Sequence, residues 1–462
     1  MKLRAALLAL TAASACGGPR SAVPAAPPAP AAPRASATST AGAEGKDDPH
    51  SMTADSVVRT ALAQVSRRRA LTARGAIRGK TISRAKMLEH IRAQIRREIP
   101  ERVVVAQNEL MFALGVAPVS FDFEAALLSL MQAQLAGFYE PRDKTMYLLE
   151  DLVGPEREAT LAHELVHALQ DQHWDLESQV KFEEDQGDRV TALHALAEGD
   201  ATSAMLDHMV APRGLRAIDL SDDLIALEVQ GGVEMSPTIG DVPGLVKRSV
   251  VAPYVDGLKL VHWARRRGGW SAVDALWNAP PTTTEQVLHP EKYLAREAAI
   301  EVPAPSPMPH GPAASLYRDV MGEQTVRLLF EEWMPQKSAV QAASGWGGDR
   351  VQVFGENGNY AVAWHLVYDD EASAKRAAIG FARGILPRSA SSAFVTAEAA
   401  TKAMAAGRLC NERKDAGPFA IALKGRHLGL TAGPYRRENG TAQSAARCTS
   451  AQRWAADLAS MR

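Results

Sequence analysis

The stretch TLAHELVHALQ, residues 160–170, sets His163, Glu164 and His167 in the pattern H-E-x-x-H. Two imidazoles four residues apart on a helix share a face, so both can give a lone pair to one cation while the carboxylate between them lies beside whatever that cation binds. Zinc held there would acidify a water and polarise a scissile carbonyl; Glu164 would take the proton and pass it to the leaving amine. The competing reading is a core helix with two satisfied histidines. That reading leaves three polar side chains at adjoining positions in need of partners. Leu165, Val166, Ala168 and Leu169 are uncharged, as burial of a metal helix requires.

A protein-bound zinc needs a third donor. The segment ALAEGDATSAM, residues 195–205, offers Glu198 inside a second helix over 188–208, while Asp200, His194, His173 and His208 compete with it on spacing. On a helix, His194 and Glu198 share a face and Asp200 points about 200° away from Glu198, so the two acids cannot both face one ion. Glu198 has the longer reach, and Gly199 and Ala201 beside it suit a close approach to the metal helix. Asp200 is then better placed to hold a ligand histidine or a helix end, and His194 to orient Glu198 or a neighbouring ligand.

With H-E-x-x-H on one helix and a glutamate on a later one, the chain resembles the gluzincin metallopeptidases; HELVHALQ with a downstream Glu-Gly-x-Ala is also similar to bacterial collagenase-like members. The resemblance covers about residues 138–210. It implies a mostly helical, zincin-like catalytic domain acting on a peptide or protein, with one Zn2+ on His163, His167 and Glu198 and with Glu164 as general base. Metzincins are disfavoured, because no H-x-x-G-x-x-H follows His167. Residues 253–294 and 345–384 resemble parts of bacterial proteins that carry the same metallopeptidase core. In zinc peptidases a Tyr or His facing the metal often stabilises the oxyanion, and Tyr254 and His289 are the candidates for that role.

The elements that must position these residues are legible in part. Apolar residues recur at three- and four-residue spacing over 87–99 and 123–135, as in helices packed on one face. The motif helix begins near Pro155, gains from Glu156 and Glu158 at its positive end, and runs without Gly or Pro to Gln172. Just before it, GFYEPRDKTMYLLED predicts a β-hairpin over 138–149, with an exposed edge strand able to bind an extended peptide by strand addition. Further on, a helix over 257–267 ends at a Gly-Gly-Trp break. Strands 351–354 and 360–368 flank Gly-Glu-Asn-Gly-Asn, and a helix follows over 371–383. The fold class is therefore α+β. A mostly helical catalytic part spans 51–300, a linker rich in Pro and Ala spans 301–315, and a small α+β domain without a catalytic cluster, suited to support or substrate recognition, spans 316–462.

The bulk composition suits this organisation: 462 residues, 46% hydrophobic and 23% charged, give room for several cores. Lys plus Arg (52) nearly cancel Asp plus Glu (53), leaving a net charge of -1. No global field draws the chain to nucleic acid. MKLRAALLALTAASAC reads as an export signal over 1–15, and Ala13 to Gly17 resembles a bacterial lipobox with Cys16 as the lipidated residue. Residues 16–50, rich in Pro and Ala, form a tether. The expected location is the bacterial cell envelope, membrane-anchored and facing the periplasm or exterior. With Cys16 lipidated, Cys410 and Cys448 remain to pair as a disulfide. Two other functions compete with a peptidase: a non-catalytic zinc-binding envelope lipoprotein, and a zinc hydrolase of a non-peptide amide. Glu164 speaks against the first, since a structural site gains nothing from a base beside the metal.

Overall fold

A computed structural model describes residues 53–134, 136–181, 183–234, 242–387 and 393–461. The expected signal, Cys16 and the tether lie outside the described residues. The chain is α+β, with a mostly helical N-terminal part and an antiparallel C-terminal sheet.

Helix α1 (Ala54–Arg69) starts at Thr53, whose hydroxyl accepts the Ser56 N–H, and ends at Ala70 in the left-handed region. Then come β1 (Arg78–Ile82), α2 (Arg84–Glu98), α3 (Glu101–Ala113) and α4 (Phe123–Gln134). The hairpin forms as β2 (Gly137–Glu140) and β3 (Thr145–Leu149). It sits in a three-stranded sheet of order β1-β3-β2, in which β1 runs parallel to β3. β2 is thus an edge strand, yet all four of its residues are buried, which corrects the expectation of an exposed edge.

The motif helix is α5 (Gly154–Trp174), with Pro155 in its first turn, where a missing N–H costs nothing. Short α6 (Leu176–Gln179) leads to α7 (Gly187–Val210), α8 (Asp222–Glu234) and the long α9 (Gly244–Asn278). α9 is broken where expected, because Gly268 and Gly269 leave helical geometry and Gly269 takes φ +64°. α7 and α9 run side by side at backbone contact: a Cβ on Gly199 would lie 2.1 Å from the Gly257 carbonyl carbon. Gly199 does serve a close approach, but to α9 and not to the metal helix as its position beside Glu198 suggested. α10 (Thr284–Leu288) and α11 (Pro290–Ala295) complete this part.

Residues 301–314 carry no regular secondary structure. After them come β4 (Ser315–Asp319), α12 (Gly322–Phe330), α13 (Gln336–Ala343), β5 (Trp346–Glu356), β6 (Asn359–Tyr368) and α14 (Glu371–Ile385). α15 (Ala397–Ala403), β7 (Arg408–Arg413), β8 (Gly417–Lys424), β9 (His427–Glu438), β10 (Thr441–Ser444) and α16 (Cys448–Leu458) follow. The sheet has the order β4-β5-β6-β9-β8-β7, with β10 on β9. The irregular segment does not separate two cores. One apolar cluster joins Ile91, Leu110 and Val250 to Val326, Trp346 and Trp364. Charged contacts cross the same boundary, among them Arg327 to Asp256 at 2.7 Å and Arg437 to Glu109 at 3.0 Å. The disulfide joins Cys410 on β7 to Cys448 at the start of α16, 38 positions apart.

Candidate metal centre

α5 and α7 cross where His163, His167 and Glu198 meet. The three side chains are 0%, 3% and 0% exposed, and one ligand atom from each lies within 4.8 Å of the others. Glu198 Oε2 is 3.1 Å from His163 Nε2 and 3.5 Å from His167 Nε2, and the two Nε2 atoms are 3.1 Å apart. Such a set of nitrogen and carboxylate oxygen atoms in a dry interior is balanced only by a cation or a proton among them. The donor set therefore fits a metal ion. His194, one turn before Glu198, reaches the other carboxylate oxygen, Oε1, at 3.1 Å and so orients the ligand.

The electrostatics agree. Burial alone would raise the Glu198 pKa, but the charge of His167 and the bonds from His163, His167 and His194 hold it well below the usual range. Burial favours neutral His167, yet Glu198 outweighs it and raises the pKa. His163 goes the other way, since burial dominates and lowers its pKa.

Glu164 is fully buried on the same helix. Its Oε2 accepts the backbone N–H of Tyr139 at 3.1 Å, and its Oε1 has no hydrogen-bond partner among the described residues. Burial first, and then the charge of Glu198, push its pKa well above the ordinary carboxylate value. The hairpin is in turn tied to α5 through Asp171, whose Oδ2 accepts from the Tyr139 hydroxyl at 2.9 Å and from Lys144 Nζ at 2.6 Å. No signal in the sequence marks Tyr139 for this, because the group that touches the base is a backbone amide.

Asp200 does not reach the triad directly. It accepts from Arg69 Nε at 2.5 Å, Trp277 Nε1 at 2.8 Å and Gln170 Nε2 at 3.2 Å, and Gln170 Oε1 lies 2.8 Å from His167 Nδ1. It holds a ligand histidine, as its position on α7 suggested, but through an intervening glutamine. Gln170, Arg69 and Trp277 were not foreseen as part of the site.

Of the two oxyanion candidates, Tyr254 on α9 is drawn to the centre. It is 3% exposed, with its ring stacked 5.9 Å from that of His163. His289 lies between α10 and α11 and bonds Glu323 of α12 at 2.9 Å, which raises its pKa. It belongs to the contact between the two parts of the chain. The other competitors are likewise engaged elsewhere: His173 bonds the Thr72 carbonyl at 2.7 Å and His208 pairs with Glu158 at 3.0 Å. A second acidic group, Glu285, Glu297 and Asp369, surrounds Lys292 Nζ at 2.6–2.7 Å. There the lysine is itself the cation.

A largely apolar pocket, partly open to solvent, has His194 in its lining. α3 and α9 wall one side with Leu110 and Pro253, and the C-terminal part supplies Tyr317, Leu328 and Trp364. No helix among the described residues is long and apolar enough to cross a membrane.

Residues 313–439 are similar to a family described as a domain of unknown function (DUF8575). That stretch runs from just before β4 through the end of β9, and the triad lies outside it. No curated protein and no solved structure matches the chain.

Proposed function

We propose that the chain is a zinc-dependent metallopeptidase of the gluzincin type, exported and anchored by lipid at Cys16 in the bacterial cell envelope. The observation that carries this reading is the conjunction of His163, His167 and Glu198 within one ion's reach and a buried Glu164 on the same turn as the two histidines. Two imidazoles and one carboxylate suit zinc, which when bound supplies a Lewis acid and lowers the pKa of water to near neutrality. Glu164 is the proton carrier. The Tyr139 amide holds its Oε2, which leaves Oε1 to take a proton, and burial raises its pKa in the direction that favours holding one. Tyr254, beside His163, is positioned to meet charge developing on a carbonyl oxygen.

Complete burial favours a second reading, a zinc site kept for stability. Three protein donors in place of four, among the described residues, favour catalysis, because structural zinc sites are usually closed by a fourth. With the triad at 0–3% exposure, a substrate enters only when the packing over the site opens. The experiment is cleavage of a peptide library by the full chain, stopped by a chelator and restored by zinc. Zinc bound without hydrolysis of any peptide would favour the structural reading. Location is tested separately: Cys16→Ser should move the protein from the membrane to the soluble envelope fraction, and unchanged partitioning would reject the anchor.

A further inference from the structure

Gln170 has one arrangement its neighbours allow. Its Nε2 lies 3.0 Å from the Ala197 carbonyl oxygen and 3.2 Å from Asp200 Oδ2, both acceptors, so its two amide hydrogens are committed there. A flipped amide would set oxygen against oxygen twice. Gln170 Oε1 must then accept from His167 Nδ1 at 2.8 Å, which places a ring hydrogen on Nδ1 and leaves Nε2, toward His163 and Glu198, as the nitrogen able to give a lone pair to a cation. Asp200 is fixed in its turn by two groups that only donate, Trp277 Nε1 and the guanidinium of Arg69. Arg69 is fully buried, bonds Asp274 at 2.8 Å and lies 4.5 Å over the ring of Trp270. Every link in this chain has one direction of donation.

We propose that Arg69, Asp200 and Gln170 act as a positioning relay that holds His167 in its ligand tautomer, so that the last residue of α1 helps set metal affinity at the α5–α7 crossing. The inference rests on reading the triad as a metal centre. It adds that the outer support of His167 reaches through the core to a helix that contributes no ligand. Three residues distant in sequence, on three elements, are thereby enlisted for one imidazole.

The test compares Gln170→Met with the exchange Gln170→Glu. The first removes the acceptor facing His167. The second keeps an acceptor there, and its other oxygen, carrying a proton between Asp200 and the Ala197 carbonyl, donates as the amide did. Zinc affinity of the full chain is read by competition with a chelating dye, the fold by circular dichroism, and the His167 tautomer by histidine-selective 15N NMR of the metal-free protein. Gln170→Met should stay folded, lose about 10- to 100-fold in zinc affinity and show mixed tautomers, and the exchange variant should recover most of the loss. Zinc binding by Gln170→Met within about twofold of wild type, or no recovery in the exchange variant, overturns the relay while the metal centre stands. If Gln170→Met does not fold, the exchange variant decides alone: affinity near that of wild type supports the relay, and its loss rejects it. Failure of the wild-type chain to bind zinc rejects the metal centre, and the relay with it.

Discussion

A Cβ placed on Gly257 would lie 1.7 Å from the carbonyl oxygen of Ala195, so α7 and α9 touch backbone to backbone one turn from Glu198. No side chain can yield at that point, because both sides of the contact are main chain. Gly257→Ala should therefore push the helices apart, destabilise the fold by about 3 kcal/mol or more, and weaken metal binding by displacing Glu198 and Tyr254 together. Thermal unfolding and zinc competition measure the two effects. A variant with unchanged stability would mean that the helices are not in contact there.

The ligands should follow an order of importance. Glu198→Ala removes a donor and its charge, so it should lower zinc affinity most. His194→Ala strips only the 3.1 Å bond to Glu198 Oε1 and should cost about tenfold. Asp200→Ala frees one side of Gln170 and leaves the buried Arg69 without its 2.5 Å partner, so it should lower zinc affinity less than Glu198→Ala does and destabilise the fold by about 3–5 kcal/mol. Direct measurement of bound zinc in the three variants checks the order. An emptied site in Asp200→Ala beside retained zinc in Glu198→Ala would assign the chain to a different branch of zinc hydrolases.

The disulfide closes a loop between residues 38 positions apart and ties α16 to β7. Replacing Cys410 and Cys448 by Ser should cost about 4 kcal/mol in the chain-entropy account and leave zinc affinity unchanged, since the bridge touches no part of the triad. A loss of zinc binding in the folded double variant would show that the C-terminal sheet supports the metal site more closely than these contacts imply.

What could be read from the sequence follows from distance along the chain. His163 with His167, and His194 with Glu198, repeat at the period of a single helix, so the faces they share were legible from spacing alone. The β2–β3 hairpin and the break at Gly268–Gly269 also rest on neighbouring residues. The partner of Gly199 was not legible, because a glycine marks a close approach without saying to which helix. Nor was β1, a five-residue strand with Arg78, Thr81 and Lys80 at least partly exposed, whose parallel pairing to β3 no local pattern announces. Arg69 and Gln170 carry no mark in the sequence, and only the fold brings them to Asp200. His289 stood out in a loop rich in polar residues, but its partner Glu323 lies beyond the irregular segment at 301–314.

If Glu164 is the base at a zinc held by its neighbours, one variant should separate the base from the metal. Glu164→Gln keeps the side chain's shape and its acceptor for the Tyr139 amide, and it removes the basicity. Zinc content and the rate of peptide hydrolysis should be measured on the same preparation. The account predicts one zinc per chain, as in the wild type, with hydrolysis reduced by at least about 100-fold. Hydrolysis at the wild-type rate with zinc retained would contradict it.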